Sequence, residues 1–230
     1  MLNSECYGIV LAGGLSSRMG KNKATLKVGS DDMLALSKQL LVNAGAQKVL
    51  VSGDGYDIAD TYKQAGPMGG IYSVLQHLKT KITSNGALGH ALNRDSEKTN
   101  CASLLLLPVD LPLLTPDTLQ QLKVTGELSG KATYFQSHSL PLYLPINGYS
   151  ELFFEKAFKQ FSENKTGKGP SIKALLNSMP SQSLPLTSRN ELLNTNTPQQ
   201  WQEAQTLLNA RAQNKTQLMS PKKSSRITYG

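Results

Sequence analysis

The chain has 230 residues, of which 39% are hydrophobic and 17% are charged, and its formal net charge is +8. This length and composition suit one large α/β domain with a buried core. No apolar run approaches the ~20 residues of a membrane-spanning helix, and the two cysteines give neither a disulfide framework nor a metal-ligand spacing. The first apolar stretch is short and runs into glycines, so it indicates a strand rather than a signal peptide, and we expect a cytoplasmic protein.

Part of the excess positive charge is confined to the C-terminal segment. From Gln213 onward there is no acidic residue, and the basic residues are Lys215, Lys222, Lys223 and Arg226. Low hydrophobicity predicts a disordered basic tail over 213–230 and a single domain over 5–212. Because aromatic interleaving and groove-binding motifs are missing, no nucleic-acid partner is expected, although a basic nucleic-acid-binding module stays an alternative. An anionic small molecule is the better partner for the remaining charge.

Strands and helices are predicted to alternate along the chain, which is typical of a mostly parallel sheet covered by helices. The predicted strands cover 7–11, 48–52, 103–107, 132–136 and 142–146. The predicted helices cover 33–44 and 71–78, then follow Thr115-Pro116, Ser150 and Ser171, and end with one from Thr197 to about Ala212. The pattern predicts the α/β class, as a single domain of three α/β/α layers. Residues 79–100 are polar and lack a hydrophobic face, which predicts a flexible insertion.

A glycine-rich turn follows the first strand and holds the first candidate site residues. At Gly13 and Gly14 the missing side chains would let backbone N–H groups approach a phosphate or a base. Arg18 and Lys23 add two cations to the same short loop. Such cations suit a triphosphate, because they would stabilise the charge on a departing pyrophosphate. The spacing matches neither a Walker A loop nor Gly-x-Gly-x-x-Gly.

Asp110 follows the continuous apolar run that is predicted as a central strand. Ligands of open α/β sheets bind at the carboxyl ends of strands. A carboxylate at that place is a hard oxygen ligand that could hold Mg²⁺ against phosphates. Asp110 is therefore the predicted metal ligand, and a structural aspartate in a turn before proline is the alternative.

Four motifs in this order resemble those of the molybdenum cofactor guanylyltransferases, which are Rossmann-like nucleotidyltransferases. The first is Leu-Ala-Gly-Gly-Leu-Ser-Ser-Arg-Met-Gly-Lys-Asn-Lys at 11–23. The others are Gly-Pro-Met-Gly-Gly at 66–70, Pro-Val-Asp-Leu-Pro at 108–112 and Asn-Thr-Asn-Thr-Pro at 194–198. The resemblance extends from Gly8 to about Leu208 and implies a Rossmann-like nucleotidyltransferase sheet.

The resemblance implies transfer of GMP from GTP to molybdopterin, with or without molybdenum, with Mg²⁺ as cofactor and pyrophosphate as product. It implies Arg18, Lys23 and Asp110 as catalytic residues, with Asp110 as the metal ligand. The residues implied to contact the nucleotide or the pterin substrate are Leu11, Ala12, Gly13, Gly14, Lys23, Ser52, Asp60, Asp110, Asn194 and Asn196. Chaperones of molybdoenzymes and other cofactor-biosynthesis proteins are the further partners that it implies, and we expect a monomer.

Within this set, three roles are more specific. Asn194 and Asn196, together with Arg18, would hold the pterin substrate, and their alternative is turn and cap chemistry before the last helix. Asp60 would contact the nucleotide, and Asp57 is its rival for that role.

The chain also departs from the family's motifs. Asn22 stands where the family usually has aspartate, and Ser52 stands where it tends to have asparagine. His-Pro-Thr is replaced by Leu-Pro-Leu at 140–142, with His138 displaced, and Lys168 is a candidate for an expected basic residue. These departures leave two further alternatives open, namely a related enzyme that uses CTP or another nucleotide and a degenerate, non-catalytic nucleotide-binding protein.

Gly13 bears on the choice between the nucleotides. Cytidylyltransferase relatives tend to carry a second alanine at the place of Gly13, so this glycine favours guanine.

Overall fold

A computed structural model of the chain describes residues 5–13, 23–84, 102–163 and 169–219. The strands in this part are β1 (Glu5–Leu11), β2 (Lys27–Val28), β3 (Asp31–Asp32), β4 (Lys48–Ser52), β5 (Ala102–Pro108), β6 (Ala132–Phe135), β7 (Leu142–Pro145) and β8 (Ser181–Leu184). The helices are α1 (Met33–Asn43), α2 (Pro67–Ser84), α3 (Pro116–Ser129), α4 (Gly148–Glu163), α5 (Ile172–Asn177) and α6 (Pro198–Met219). Short 3₁₀ turns cover Lys23–Thr25, Lys63–Ala65 and Arg189–Leu192.

Six of the strands form one sheet in the order β4-β1-β5-β7-β6-β8, while β2 and β3 form a small hairpin. Neighbours β4, β1 and β5 are parallel, β7 is antiparallel to both β5 and β6, and β8 is parallel to β6. In this register Leu11 lies opposite Ser52 on one side and Pro108 on the other. Because these three parallel strands end level with one another, the loops that follow them meet at one edge.

The central strands are buried on both faces. Ile9 and Leu106 belong to a core cluster with helices α2, α4 and α5, while Val10 and Leu105 belong to a second cluster with α1 and α3. Side chains alternate between the faces of a strand, so apolar residues at consecutive positions supply both clusters. The predicted α/β class, with three layers and a mostly parallel sheet, is confirmed.

Several helix ends follow the expected capping chemistry. Asp32 caps α1, Thr115 caps α3 and Ser171 caps α5, each accepting a hydrogen bond from a backbone N–H of the first turn. The predicted opening of α4 at Ser150 is wrong, because Asn147 Oδ1 accepts from the N–H groups of Tyr149 and Ser150. Ser150 is therefore a buried residue of the first turn.

Two predicted helix ends fall short of the observed ones. Helix α2 begins at Pro67 and runs to Ser84, so the predicted boundary of the insertion at residue 79 is wrong. The Thr80 hydroxyl donates to the carbonyls of Gln76 and His77, and no glycine or proline interrupts the helix there. The rest of the predicted insertion, 85–100, lies outside the described residues.

Helix α6 likewise continues to Met219, past the predicted end at Ala212. The predicted start of the tail at Gln213 therefore lies within a helix, and residues 220–230 lie outside the described residues. In the described ranges, no helix has both the length and the apolar character to cross a membrane.

Candidate active site

The ends of β1 and β4 bring Gly13, Ser52 and Asp60 together. The buried Ser52 accepts hydrogen bonds at its carbonyl from the N–H groups of Ala12 and Gly13, at 2.9 and 3.1 Å. Its hydroxyl donates to Asp60 Oδ1 at 2.8 Å. Ser52 thus links the turn after β1 to a carboxylate that follows β4.

Two glycines provide the space for this carboxylate. A Cβ atom on Gly13 would lie 2.5 Å from Asp60 Oδ2, and one on Gly70 would lie 2.6 Å from Ser52 Oγ. Since real Cβ atoms do not approach within 3.0 Å, larger residues would displace Asp60 or Ser52. Gly70 lies in the first turn of α2, where helical N–H groups favour negative charge. Asp60 therefore lies, half-buried, between the end of β1 and the start of α2.

This geometry corrects one expectation for the glycine-rich turn. The N–H of Gly13 was predicted to approach a phosphate or a base, but it donates to the carbonyl of Ser52. The missing side chain of Gly13 makes room for Asp60 instead. Gly14, Arg18, Asn22 and Lys168 lie outside the described residues.

The rival carboxylate, Asp57, has a different environment. Asp57 Oδ2 accepts a hydrogen bond from the N–H of Val51 at 2.9 Å. Ile58 forms a parallel bridge with Ser52, so the loop folds back along β4. Asp57 therefore holds the loop to the strand, whereas Asp60 faces Gly13.

A second group of site residues comprises Lys23, Asp110 and Asn196. Lys23 Nζ lies 3.0 Å from Asp110 Oδ2, and both side chains are only 16% exposed. The same Nζ also donates a hydrogen bond to Asn196 Oδ1. Asp110 follows β5 and Lys23 opens a 3₁₀ turn. These two residues, far apart in sequence, form an ion pair at the edge of the sheet where β1, β4 and β5 end.

A C-terminal segment, 191–200, fastens this pair to the protein. The N–H and the hydroxyl of the buried Thr195 both donate to the carbonyl of Asp110, at 3.1 and 3.2 Å. The buried Glu191 accepts hydrogen bonds from the hydroxyls of Thr115 and Thr118. The segment therefore spans the loop after β5 and the start of α3, and we call it the C-terminal strap.

The other predicted residues are distributed as follows. Leu11 is buried within β1 and Ala12 follows it, half-buried, at the edge of the sheet. Asn194 is exposed, so the structure joins Asn196 but not Asn194 to the Lys23–Asp110 pair.

Sequence reasoning missed Gly70, Glu191, Thr195 and Gln200. One signal was present in the sequence, because Thr197 and Gln200 have the spacing of a capping box.

The residues around Asp110 fit a divalent cation in one coordination mode. Within the described ranges, no three acidic, histidine or cysteine side chains cluster as a protein metal cage would require. Mg²⁺ commonly uses one or two carboxylates and completes its shell with water and substrate phosphates. A single carboxylate at a strand end, with a lysine beside it, fits that mode.

Comparison with known proteins identifies the family. The family model described as a MobA-like NTP transferase domain matches residues 8–174. The chain belongs to this family. As a MobA-like NTP transferase it is a nucleotidyltransferase. A molybdenum cofactor guanylyltransferase of Xanthomonas euvesicatoria is 31% identical to it over 199 residues, which cover 84% of this chain and 91% of the relative.

Solved structures of low sequence identity share the fold. Molybdopterin-guanine dinucleotide biosynthesis protein A from Archaeoglobus fulgidus superposes with a TM-score of 0.61 at 18% identity, covering 89% of this chain and 99% of that one. 2-C-methyl-D-erythritol 4-phosphate cytidylyltransferase from Thermus thermophilus superposes with a TM-score of 0.54 at 12% identity, covering 87% of this chain and 98% of that one. The fold is thus shared with a cytidylyltransferase, and the choice of nucleotide has to be argued from side chains.

Proposed function

We propose that this MobA-like NTP transferase transfers GMP from GTP to the terminal phosphate of molybdopterin, with or without molybdenum, and releases pyrophosphate. The observation that carries the proposal is the convergence of Lys23, Asp110 and Asp60 at the edge where β1, β4 and β5 end level. The Xanthomonas relative, named as a guanylyltransferase, supports the choice of substrates.

The transfer requires no nucleophile from the protein. An oxygen of the acceptor phosphate, already anionic at neutral pH, forms a bond to the α-phosphorus of GTP. The bond from that phosphorus to the bridging oxygen breaks, and the electron pair leaves with pyrophosphate. The protein therefore acts by positioning the two substrates and by stabilising the charge on the phosphates.

Lys23 and Asp110 have separate tasks in this proposal. Lys23 supplies a fixed cation to the nucleotide phosphates, and the cation of Arg18 is proposed to assist it. Asp110 would hold Mg²⁺, which when bound neutralises phosphate charge and orients the triphosphate. The two side chains neutralise each other at 3.0 Å, so neither charge is left unpaired at 16% exposure.

Asp60 is the residue that we propose selects guanine. The Watson–Crick edge of guanine presents two adjacent donors, N1–H and the N2 amino group, and a carboxylate is an acceptor-only group that matches both. Cytosine presents an acceptor, N3, beside its amino donor, so a carboxylate would face a lone pair. The missing side chain of Gly13 makes room for the Asp60 carboxylate at the end of β1, and the Ser52 hydroxyl orients this carboxylate through Oδ1.

This arrangement also bears on the other functions that the sequence left open. In a CTP-dependent enzyme a carboxylate at this place would face the N3 acceptor of cytosine, with which it cannot form a hydrogen bond. A degenerate binding protein would not need to keep Lys23 and Asp110 paired and mostly buried. Both considerations favour an active guanylyltransferase.

The decisive experiment measures pyrophosphate release by the purified chain with GTP, CTP or ATP, with and without molybdopterin. We expect release with GTP plus molybdopterin and Mg²⁺, and its loss in Asp110→Ala. Asp117→Ala is the matched control, since Asp117 is exposed in the first turn of α3. Release with CTP alone would refute the guanylyl assignment, and GTP binding without turnover would favour the degenerate protein.

A further inference from the structure

Lys23 donates to two acceptors of different charge, and this difference is informative. One acceptor is the Asp110 carboxylate, and the other is the neutral amide oxygen of Asn196. In the proposed reaction the Asp110 carboxylate would be drawn to a divalent cation. The amide oxygen of Asn196 carries no net charge and competes much less for that cation. Asn196 is therefore the acceptor that can keep Lys23 in place when Asp110 changes its partner.

Asn196 is itself held by the start of α6. Gln200 Oε1 accepts from the N–H groups of Asn196 and Thr197, at 2.8 and 3.1 Å. In return the N–H of Gln200 donates to the Thr197 hydroxyl at 3.2 Å, which completes a reciprocal capping box. Because the backbone of Asn196 is held in this box, its side chain is directed toward Lys23.

The preceding residue extends the same arrangement. Thr195 is fully buried and donates twice to the carbonyl of Asp110, so adjacent residues of the C-terminal strap hold Asp110 and Lys23. The family match ends at residue 174, and these contacts therefore come from beyond the matched segment. Thr195 contacts the backbone of Asp110, and Asn196 contacts the side chain of Lys23.

We infer that Asn196 is a positioning residue for Lys23 and that Gln200 is a positioning residue for Asn196. The inference rests on the proposed function, in that Lys23 binds the phosphates of GTP. It differs from the expectation that Asn196 holds the pterin substrate. The two roles separate in one measurement, because a residue that positions Lys23 affects GTP binding when no acceptor is present.

The test is calorimetric titration with GTP and Mg²⁺ in the absence of molybdopterin. Hydrogen bonds to charged groups are among the stronger ones, so we expect Asn196→Ala to weaken GTP binding about tenfold. We expect Gln200→Ala to weaken it by a smaller factor and Gln200→Glu to restore it, since glutamate also completes a capping box. Gln199→Ala, at the exposed neighbouring position, is the matched control and should bind as the parent chain does.

A double-mutant cycle connects the effect to Lys23. If Asn196 acts through Lys23, Asn196→Ala causes no further loss of GTP binding in the Lys23→Ala background. Unchanged GTP binding in Asn196→Ala, or fully additive losses, would overturn the inference and leave the proposed function standing. No GTP binding by the parent chain would overturn the proposed function and the inference with it. If Asn196→Ala does not fold, the Gln200→Ala and Gln200→Glu pair decides by the same titration.

Discussion

Replacing Gly13 by alanine tests whether nucleotide choice depends on the space between β1 and Asp60. The new Cβ atom would lie 2.5 Å from Asp60 Oδ2, and ordinary van der Waals contact begins at 3.4 Å, so the carboxylate has to withdraw by about 0.9 Å. Gly13 does not have a positive φ, so alanine fits the backbone and the perturbation is confined to the side chain it meets.

Withdrawal of the Asp60 carboxylate should lower the affinity for GTP, because it disturbs the hydrogen bond from Ser52 that orients this carboxylate. It stretches or tilts the 2.8 Å bond from Ser52 Oγ to Asp60 Oδ1, and it moves the carboxylate away from a bound base. Hydrogen bonds to charged groups contribute about 1.5–3 kcal/mol, which corresponds to roughly ten- to hundredfold in affinity. We expect Gly13→Ala to lose GTP affinity by this factor and to keep its weaker CTP affinity nearly unchanged.

The assay is titration of the variant with GTP and with CTP, each with Mg²⁺ and without acceptor. Asp60→Ala and the double variant complete a cycle, in which the alanine at position 13 should add no further loss once the carboxylate is gone. Equal losses for the two nucleotides would refute the proposal that Asp60 selects guanine. Additive losses would show that the new methyl group acts on the nucleotide directly rather than through Asp60.

Three further perturbations separate structural from functional residues. Asp57→Ala removes the acceptor of the N–H of the buried Val51, and an unsatisfied buried donor costs about 1–3 kcal/mol. Urea titration should therefore show a loss of unfolding free energy of that size. The ratio of GTP affinity to CTP affinity should be unchanged. A changed ratio of GTP to CTP affinity would indicate that Asp57 contacts the nucleotide. Leu106→Ala empties a fully buried position of β5 and should lower the unfolding free energy by about 2–5 kcal/mol, whereas a negligible loss would contradict a well-packed sheet face. Chelation with EDTA should stop pyrophosphate release and leave the thermal midpoint unchanged, because Lys23 can neutralise the Asp110 carboxylate when the metal is removed. A lowered midpoint would indicate a structural metal instead.

The parts of the fold that sequence predicts well are those with strong local patterns. The apolar run before Asp110 indicated a central strand, and the position of Asp110 after it indicated the edge of the sheet. Strand β8 was missed because Ser181–Leu184 is polar and half-exposed at the end of the sheet. The hairpin of β2 and β3 has only two residues in each strand, too few for any alternation to be visible.

The contacts within the site could be predicted only in part. The residue types of Lys23 and Asp110 indicated their chemistry. Their pairing could not be predicted, because the two residues are 87 positions apart in the sequence. Asn196 is 173 residues from Lys23, and only the folded chain reveals that its oxygen accepts from that lysine. Gly13 was singled out for a free backbone N–H, but this N–H donates to the carbonyl of Ser52. Its actual contribution, room for Asp60, depends on a loop that no local pattern specifies.

The C-terminal strap also has a consequence for the order in which the enzyme is made. Synthesis runs from the N-terminus, so Lys23 and Asp110 leave the ribosome long before Asn196 and Thr195 do. A nascent chain can already contain the whole of β1, β4 and β5 while Asn196, the second acceptor for Lys23, and Thr195, which donates to Asp110 O, are still untranslated. If Asn196 positions Lys23 as proposed, the chain acquires its full affinity for nucleotide only after the start of α6 has been made and has reached the edge of the sheet.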